Sequence, residues 1–242
     1  IPAAIIAPDA DLTPYRLLIV PALVVTEETT ATRLRQFVEQ GGTLVITTRS
    51  GFKNHHNMVV DTPLPGLLAD LCGIEIDDMD VLRPGQQRRI EFEPGADDQG
   101  AATALCEILA LKGAEVLACY AEDYYAGQPA AAIHSLGRGH TIYVGTMGDL
   151  TLVTQIVNRA LRLADISPLS AAPAELEVTR RTHNDSELLF VLNHTSEAQL
   201  FPLNGAYQDR LSGISHSGTV SLAPYDVLIL GKPGDEVSGP IP

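Results

Sequence analysis

The chain has no tryptophan, and aromatic residues fill only 5% of its 242 positions. That scarcity works against a sugar-binding platform, which depends on exposed rings. Cysteine is scarce as well. Cys72, Cys106 and Cys119 form an odd set with no CxxC spacing and no histidine at metal-ligand distance, so no metal site is expected. They read as small buried hydrophobes, Cys72 and Cys106 on helix faces and Cys119 on a strand. Basic residues are few: 16 Lys plus Arg against 30 Asp plus Glu, a formal charge of −14, which argues against a nucleic-acid partner. The basic clusters Arg88-Arg89 and Arg180-Arg181 read as solvated strand faces. Long apolar runs are missing. The stretch 17–25 is too short to span a bilayer and contains Pro21, so no membrane partner is expected. A phosphate-cradling loop is also missing, because Gly137-Arg138-Gly139 lacks a third glycine and a following helix. No cofactor is expected.

What remains is a globular composition, 45% apolar and 19% charged, long enough for one large domain or two modest ones. Residues 1–166 alternate strand and helix patterns. Strands are expected at 3–7, 16–20, 43–47, 88–93, 115–120, 130–134 and 141–145. Helices are expected at 26–40 with Thr26 as N-cap, at 64–71 stopped by Gly73, at 103–111, and at 150–164. Such alternation predicts a largely parallel open α/β sheet covered on both faces. The texture changes at the proline-bearing stretch 166–175. Short strands follow at 176–181, 188–193, 199–203, 219–222 and 227–230, with turns at Asn184-Asp185 and Asn204-Gly205, as in a small antiparallel β-sandwich over 174–231. A Gly/Pro-rich tail occupies 232–242 and is expected to fray. The sequons Asn184-Asp185-Ser186 and Asn193-His194-Thr195 are read as chance, with no signal peptide before them, and a chain opening on Ile1 is expected to be a fragment.

The segment most suggestive of chemistry is 48–57, a polar loop after the strand 43–47, where open α/β sheets place ligand sites. It carries Arg49, Ser50, Lys53, His55, His56 and Asn57. Ser50 could be a nucleophile with His55 or His56 as base, but the glycine that opens an elbow is replaced by Thr48. Adjacent histidines are poorly placed to share a metal. Glu122-Asp123 beside Tyr124-Tyr125 suggests a sugar site, yet neighbouring acids cannot straddle a glycosidic bond. The residues alone yield no active site.

The order of short motifs resembles the C-terminal half of family 42 glycoside hydrolases, β-galactosidases built from a barrel, a trimerisation domain and a β-sandwich. The motifs run through Tyr15-Arg16-Leu17-Leu18, Gly41-Gly42-Thr43, Arg49-Ser50-Gly51, Pro65-Gly66-Leu67 and Gly73-Ile74-Glu75. They continue through Tyr125-Ala126-Gly127-Gln128-Pro129, Tyr143-Val144-Gly145-Thr146, Phe190-Val191-Leu192-Asn193-His194-Thr195 and Leu222-Ala223-Pro224-Tyr225-Asp226. The resemblance implies a flavodoxin-like, class I glutamine amidotransferase-like sheet that has lost its chemistry, followed by the sandwich. It implies a non-catalytic homotrimerising region of a cytoplasmic, retaining β-galactosidase for terminal β-galactosides, whose partners are itself and the catalytic barrel. The family's catalytic glutamates and cysteine-bound metal belong to that barrel, and no Asn-Glu pair occurs here. This chain alone is therefore expected to be inactive. The loop bearing Arg49, Ser50, His55, His56 and Asn57 becomes a relic or inter-subunit loop, with Asn54 and His55 standing where the family usually has acids. The alternatives are a stand-alone amidotransferase-like hydrolase using Ser50 or a cysteine, and a carbohydrate-binding module using Phe190, Phe201, Tyr207 or Tyr225.

Overall fold

Alternate residues of the run Thr43–Thr47 face opposite ways, and both faces are buried: Val45 enters one apolar cluster, Leu44 and Ile46 another. A strand buried on both sides needs cover on both sides. The computed structural model describes residues 3–92, 99–167, 172–183 and 186–234, and shows how that cover is built. Residues 6–166 form one compact unit; a second is made mainly of residues from 167 onward.

In the first unit, β1 (Leu17–Val20) and β2 (Thr43–Thr47) pair in parallel and are joined through α1 (Glu28–Glu39). A 3-10 turn at Gly66–Leu68 leads into α2 (Ala69–Cys72), stopped by Gly73 in the left-handed region. Then come β3 (Ile74–Val81), β4 (Arg88–Phe92), β5 (Gln99–Leu111), β6 (Glu115–Tyr120), β7 (Pro129–Leu136), β8 (Gly139–Val144), β9 (Thr146–Gly148) and α3 (Leu150–Leu163). The strands lie in the order β1-β2-β8-β7-β6-β4-β5-β3, with β9 added on β5. Leu34, Phe37 and Val38 of α1 and Leu71 and Cys72 of α2 cover one face. Leu152, Ile156 and Ala160 of α3 cover the other. Asp149 caps α3, its carboxylate accepting from Leu152 N at 2.8 Å.

The open α/β sheet is present, but its strands are not largely parallel. Only β1, β2 and β8 run parallel; every other described pair is antiparallel. The connections explain this, since a parallel neighbour needs a long crossover and β7 joins β8 through a tight turn at Gly137-Arg138. Residues 103–111 are strand β5, not a helix, so Cys106 lies on a strand. The run is rich in Ala and Leu, but ladders with β3, β4 and β9 override that weak preference. Residues 3–7 form no strand; the stretch after them is tied to α1 by Arg33, which donates to Pro8 O and Ala10 O. Thr26 is not the cap of α1, because its hydroxyl donates back to Leu23 O at 3.1 Å. Arg88 is not a solvated residue either; it grips Asp123 at 2.7 Å.

The second unit holds β10 (Leu176–His183), β11 (Ser186–Asn193), β12 (Gln199–Asp209), β13 (Ser215–Leu222) and β14 (Val227–Gly231). All pairs are antiparallel, in the order β10-β11-β14-β12-β13. Leu176, Val191, Leu228 and Leu230 from one end of that order share a core with Phe201, Leu203, Tyr207, Val220 and Leu222 from the other. Asn204-Gly205 is not a turn; it lies within β12, where the register shifts between Pro202 and Ala206. The turn at Asn184-Asp185, with the first sequon's asparagine, lies outside the described residues, as do 168–171 of the linker and 235–242 of the tail. The second sequon's Asn193 is buried and fully engaged, donating to Glu197 O and Ala223 O and accepting from Thr195.

Asp209 closes the other end of this unit. It is buried and accepts from Leu211 N, Ser212 N, Ser212 Oγ and Ile229 N. Burial alone would raise its pKa, but the Ser212 and backbone hydrogen bonds outweigh it and hold the carboxyl below the ordinary value. Asp209→Ala strands those donors and is expected to lower stability by about 2–3 kcal/mol at neutral pH. Because the folded pKa is depressed, the wild-type advantage is present above the ordinary carboxyl range and lost as pH falls through the folded value, below about pH 4. Urea unfolding of both proteins at neutral pH and at pH 3 checks this, with a narrower gap expected in acid.

Candidate functional site

At the carboxyl end of β2 the chain turns sharply through Thr48, Arg49, Ser50 and Gly51. Arg49 sits at φ 70° and Gly51 at φ 73°. A side chain at residue 51 is impossible without movement, since a Cβ there would lie 1.9 Å from Pro65 O. For Arg49 the left-handed conformation costs about 1–2 kcal/mol, so neighbouring bonds must hold it. Arg49 N donates to Glu107 Oε1 at 2.9 Å, and Gly51 N donates to Leu23 O at 2.9 Å. Ser50 Oγ donates to Thr47 O at 2.7 Å and accepts from Leu23 N at 3.0 Å.

These contacts decide the fate of Ser50. Its side chain is fully buried and its proton is committed to a carbonyl, not to an imidazole. The apex of the turn, where a strained elbow would carry its nucleophile, belongs to Arg49. A guanidinium cannot play that part. Instead it projects into solvent over the Phe52 ring, 4.9 Å from its centroid. His55 and His56 lie further out, their rings 3.8 Å apart and both exposed at the tip of a hairpin. The hairpin is built by Lys53 N to Val24 O, Val60 N to Phe52 O and Asn54 N to Met58 O, all between 2.9 and 3.1 Å. Asn54 Oδ1 also accepts from His56 N and Met58 N, and Lys53 Nζ donates to Asn57 Oδ1 at 3.0 Å. Structure therefore brings Arg49 and Ser50 together at the elbow but holds His55, His56 and Asn57 away from it.

The group that sequence reasoning missed is Glu107. It lies on β5, fully buried, and its Oε2 accepts from the Tyr143 hydroxyl at 2.8 Å. The Tyr120 hydroxyl donates to Glu107 O at 3.0 Å. Burial pushes the Glu107 carboxyl above its usual range, against the pull of the hydrogen bonds from Arg49 N and Tyr143. Burial, reinforced by the Glu107 charge, pushes the Tyr143 hydroxyl well up. Both groups are spent on each other inside the sheet, away from solvent. A helix expected over 103–111 hid this residue, which would otherwise have stood out as a lone acid in an apolar strand.

The other candidates are structural. Glu122 accepts from Arg89 N at 2.7 Å, and Asp123 holds Arg88. Tyr125 is buried with its hydroxyl on Asp80 at 2.8 Å, while Tyr124 is exposed and edge-stacked on Tyr125. In the second unit Phe201 and Tyr207 are core and Phe190 is half-buried, leaving only Tyr225 exposed among the four aromatics considered as a sugar platform. A cavity of about 390 Å³ lies between α1 and the segment before β1, lined by Asp11, Tyr15, Arg16, Arg33 and Gln36 among others, and includes no elbow residue.

Glu107 yields a test. Glu107→Ala strands the Tyr143 hydroxyl and Arg49 N and is expected to cost about 2–4 kcal/mol. Glu107→Gln keeps an acceptor for Arg49 N and an amide for Tyr143, and should cost far less. Since the folded carboxyl pKa is raised, the folded state binds its proton more tightly, and wild-type stability falls as pH rises through that window. Denaturant unfolding from pH 4 to pH 8 should show Glu107→Gln gaining on wild type with rising pH.

Comparison with known proteins follows the same division. Residues 1–167 match the model of the β-galactosidase trimerisation domain, and residues 175–232 that of the β-galactosidase C-terminal domain. The chain is 32% identical over 225 residues to β-galactosidase LacZ of Heyndrickxia coagulans, covering 93% of this chain and 33% of that protein. It is 30% identical over 240 residues to β-galactosidase BglY of Alicyclobacillus acidocaldarius, covering 96% and 35%. Among solved structures, β-galactosidase from Bacillus circulans sp. alkalophilus superposes with a TM-score of 0.88 at 31% identity, over 93% of this chain and 34% of the other. The chain thus spans about a third of the length of the curated relatives it matches. With its trimerisation and C-terminal domains in sequence and an elbow that carries no nucleophile, the chain belongs to the family 42 β-galactosidases, as their trimerisation region.

Proposed function

We propose that this chain is the non-catalytic assembly region of a β-galactosidase acting on terminal β-galactosides. Its α/β domain, 1–166, forms a homotrimer that carries the catalytic barrels of the same polypeptide, and an all-β antiparallel domain, 174–231, follows it in the chain. The observation that carries this reading is the match of 1–167 to a trimerisation domain, joined to an elbow whose serine is buried and whose apex is arginine. Neither described unit is a (β/α)₈ barrel, and in this reading the catalytic glutamates belong to such a barrel, so the chain by itself is expected to turn over no galactoside. In this reading the loop 48–57 is a former catalytic corner turned into an inter-subunit element.

The cytoplasm is the proposed compartment. Cys72, Cys106 and Cys119 are all free thiols, as suits a reducing environment, and no helix among the described residues is long and apolar enough to cross a membrane.

Light scattering after size exclusion tests the reading. A mass of about 78 kDa is expected, three copies of the 25.9 kDa chain. The same sample should leave a chromogenic β-galactoside intact. A monomer, or turnover abolished by Ser50→Ala, would overturn the proposal.

A further inference from the structure

We propose that the hairpin 52–60 of one copy docks on the outer edge of β3 in a second copy, basic and apolar groups of the first meeting acidic and apolar groups of the second. The inference rests on the assembly reading above and names the surfaces that would carry it.

The hairpin is chemically unlike the rest of the chain. Positions 48–60 contain no Asp or Glu in a protein that has 30 of them, yet hold Arg49, Lys53, His55 and His56. Beside these residues, Met58 and Val59 are exposed at 56% and 69%. A loop tip with such residues would ordinarily be mobile, but this one is laced to the body. Lys53 bridges to Val25 on one side and Val59 on the other, and Asn54 braces the tip with two side-chain bonds. A contact surface already ordered loses little entropy on association.

β3 offers the complement. It ends the strand order of the sheet, so its outer edge has no strand neighbour among the described residues. Along it Asp77 and Asp78 are exposed, next to Met79 and to Val81 at 74%. Asp78 is held in place by the Tyr124 hydroxyl at 3.2 Å, and the ladder register shifts between Ile76 and Asp78, leaving Asp77 out of the pairing with β5. A bulged, carboxylate-bearing edge repels a second copy of itself, so two β3 edges do not zip together. Two basic hairpins repel each other likewise. The favourable pairing is hairpin to edge. It joins two different surfaces, the heterologous contact that repeats around a ring and does not close as a two-fold dimer.

The experiment measures self-association of the full chain by light scattering and sedimentation equilibrium, for wild type, Lys53→Glu, Asp77→Lys and the double variant. Circular dichroism melts confirm that each variant is folded. Each single reversal is expected to weaken association about tenfold or more. The double variant is expected to recover most of the loss, because the reversed hairpin charge of one copy then faces the reversed edge charge of the next. Raising salt from about 50 mM to about 500 mM should weaken wild type in the same direction. A wild-type chain that stays monomeric overturns both the assembly reading and this contact. A wild-type trimer indifferent to either reversal, or a double variant no better than the singles, overturns the contact and leaves assembly standing.

Discussion

Glu107 accepts from Arg49 N and from the Tyr143 hydroxyl deep inside the sheet, and the geometry around the elbow depends on that carboxyl. The two bonds tie the end of β2, the middle of β5 and the strand β8 to one another. The left-handed backbone at Arg49 is held because its amide has a charged or polar acceptor waiting in the core. From there the chain is committed outward: Gly51 passes under Pro65, and the hairpin that follows is stitched to Val24 and Val60. A buried carboxyl is an expensive way to build a corner unless it is well bonded. Here both oxygens are engaged, and Tyr120 secures the backbone beside it.

The same corner offers no serine nucleophile at its apex. An active nucleophile needs an exposed oxygen or sulfur at the apex and a base in reach. Ser50 points inward and serves the turn, as both donor and acceptor, while the exposed apex is a guanidinium resting on Phe52. The turn is held by hydrogen bonds and by the guanidinium packed over Phe52. That is consistent with a family whose matched region is named for trimerisation and not for hydrolysis.

The second unit relies on a related device. Asp209 and Asn193 are each buried, and each gathers several backbone groups where a strand meets a loop. The sequon at Asn193 is read in sequence as chance, and only the bonds to Glu197 and Ala223 reveal its asparagine as a loop organiser. Buried polar staples of this sort carry no periodic signal, so a pattern reading passes over them.

The sequence by itself determined the division into a mixed α/β region and an all-β region. It also determined the number and order of the described strands from 176 onward, though not the full extent of β12 and β13, together with the helices α1 and α3 and the family. Glycine stops, apolar periodicity and motif order are local properties that survive without coordinates. Only the tertiary structure decided that β5 is a strand, since Ala and Leu in Thr103–Leu111 favour a helix until β3 and β4 supply ladder partners. It decided the mixed direction of the sheet, because direction follows from which strands meet. It separated Ser50 from His55 and His56 and placed Glu107 under Arg49, fifty-eight positions away in the chain. Contacts between residues so distant in sequence arise from packing, and no single stretch of sequence records them.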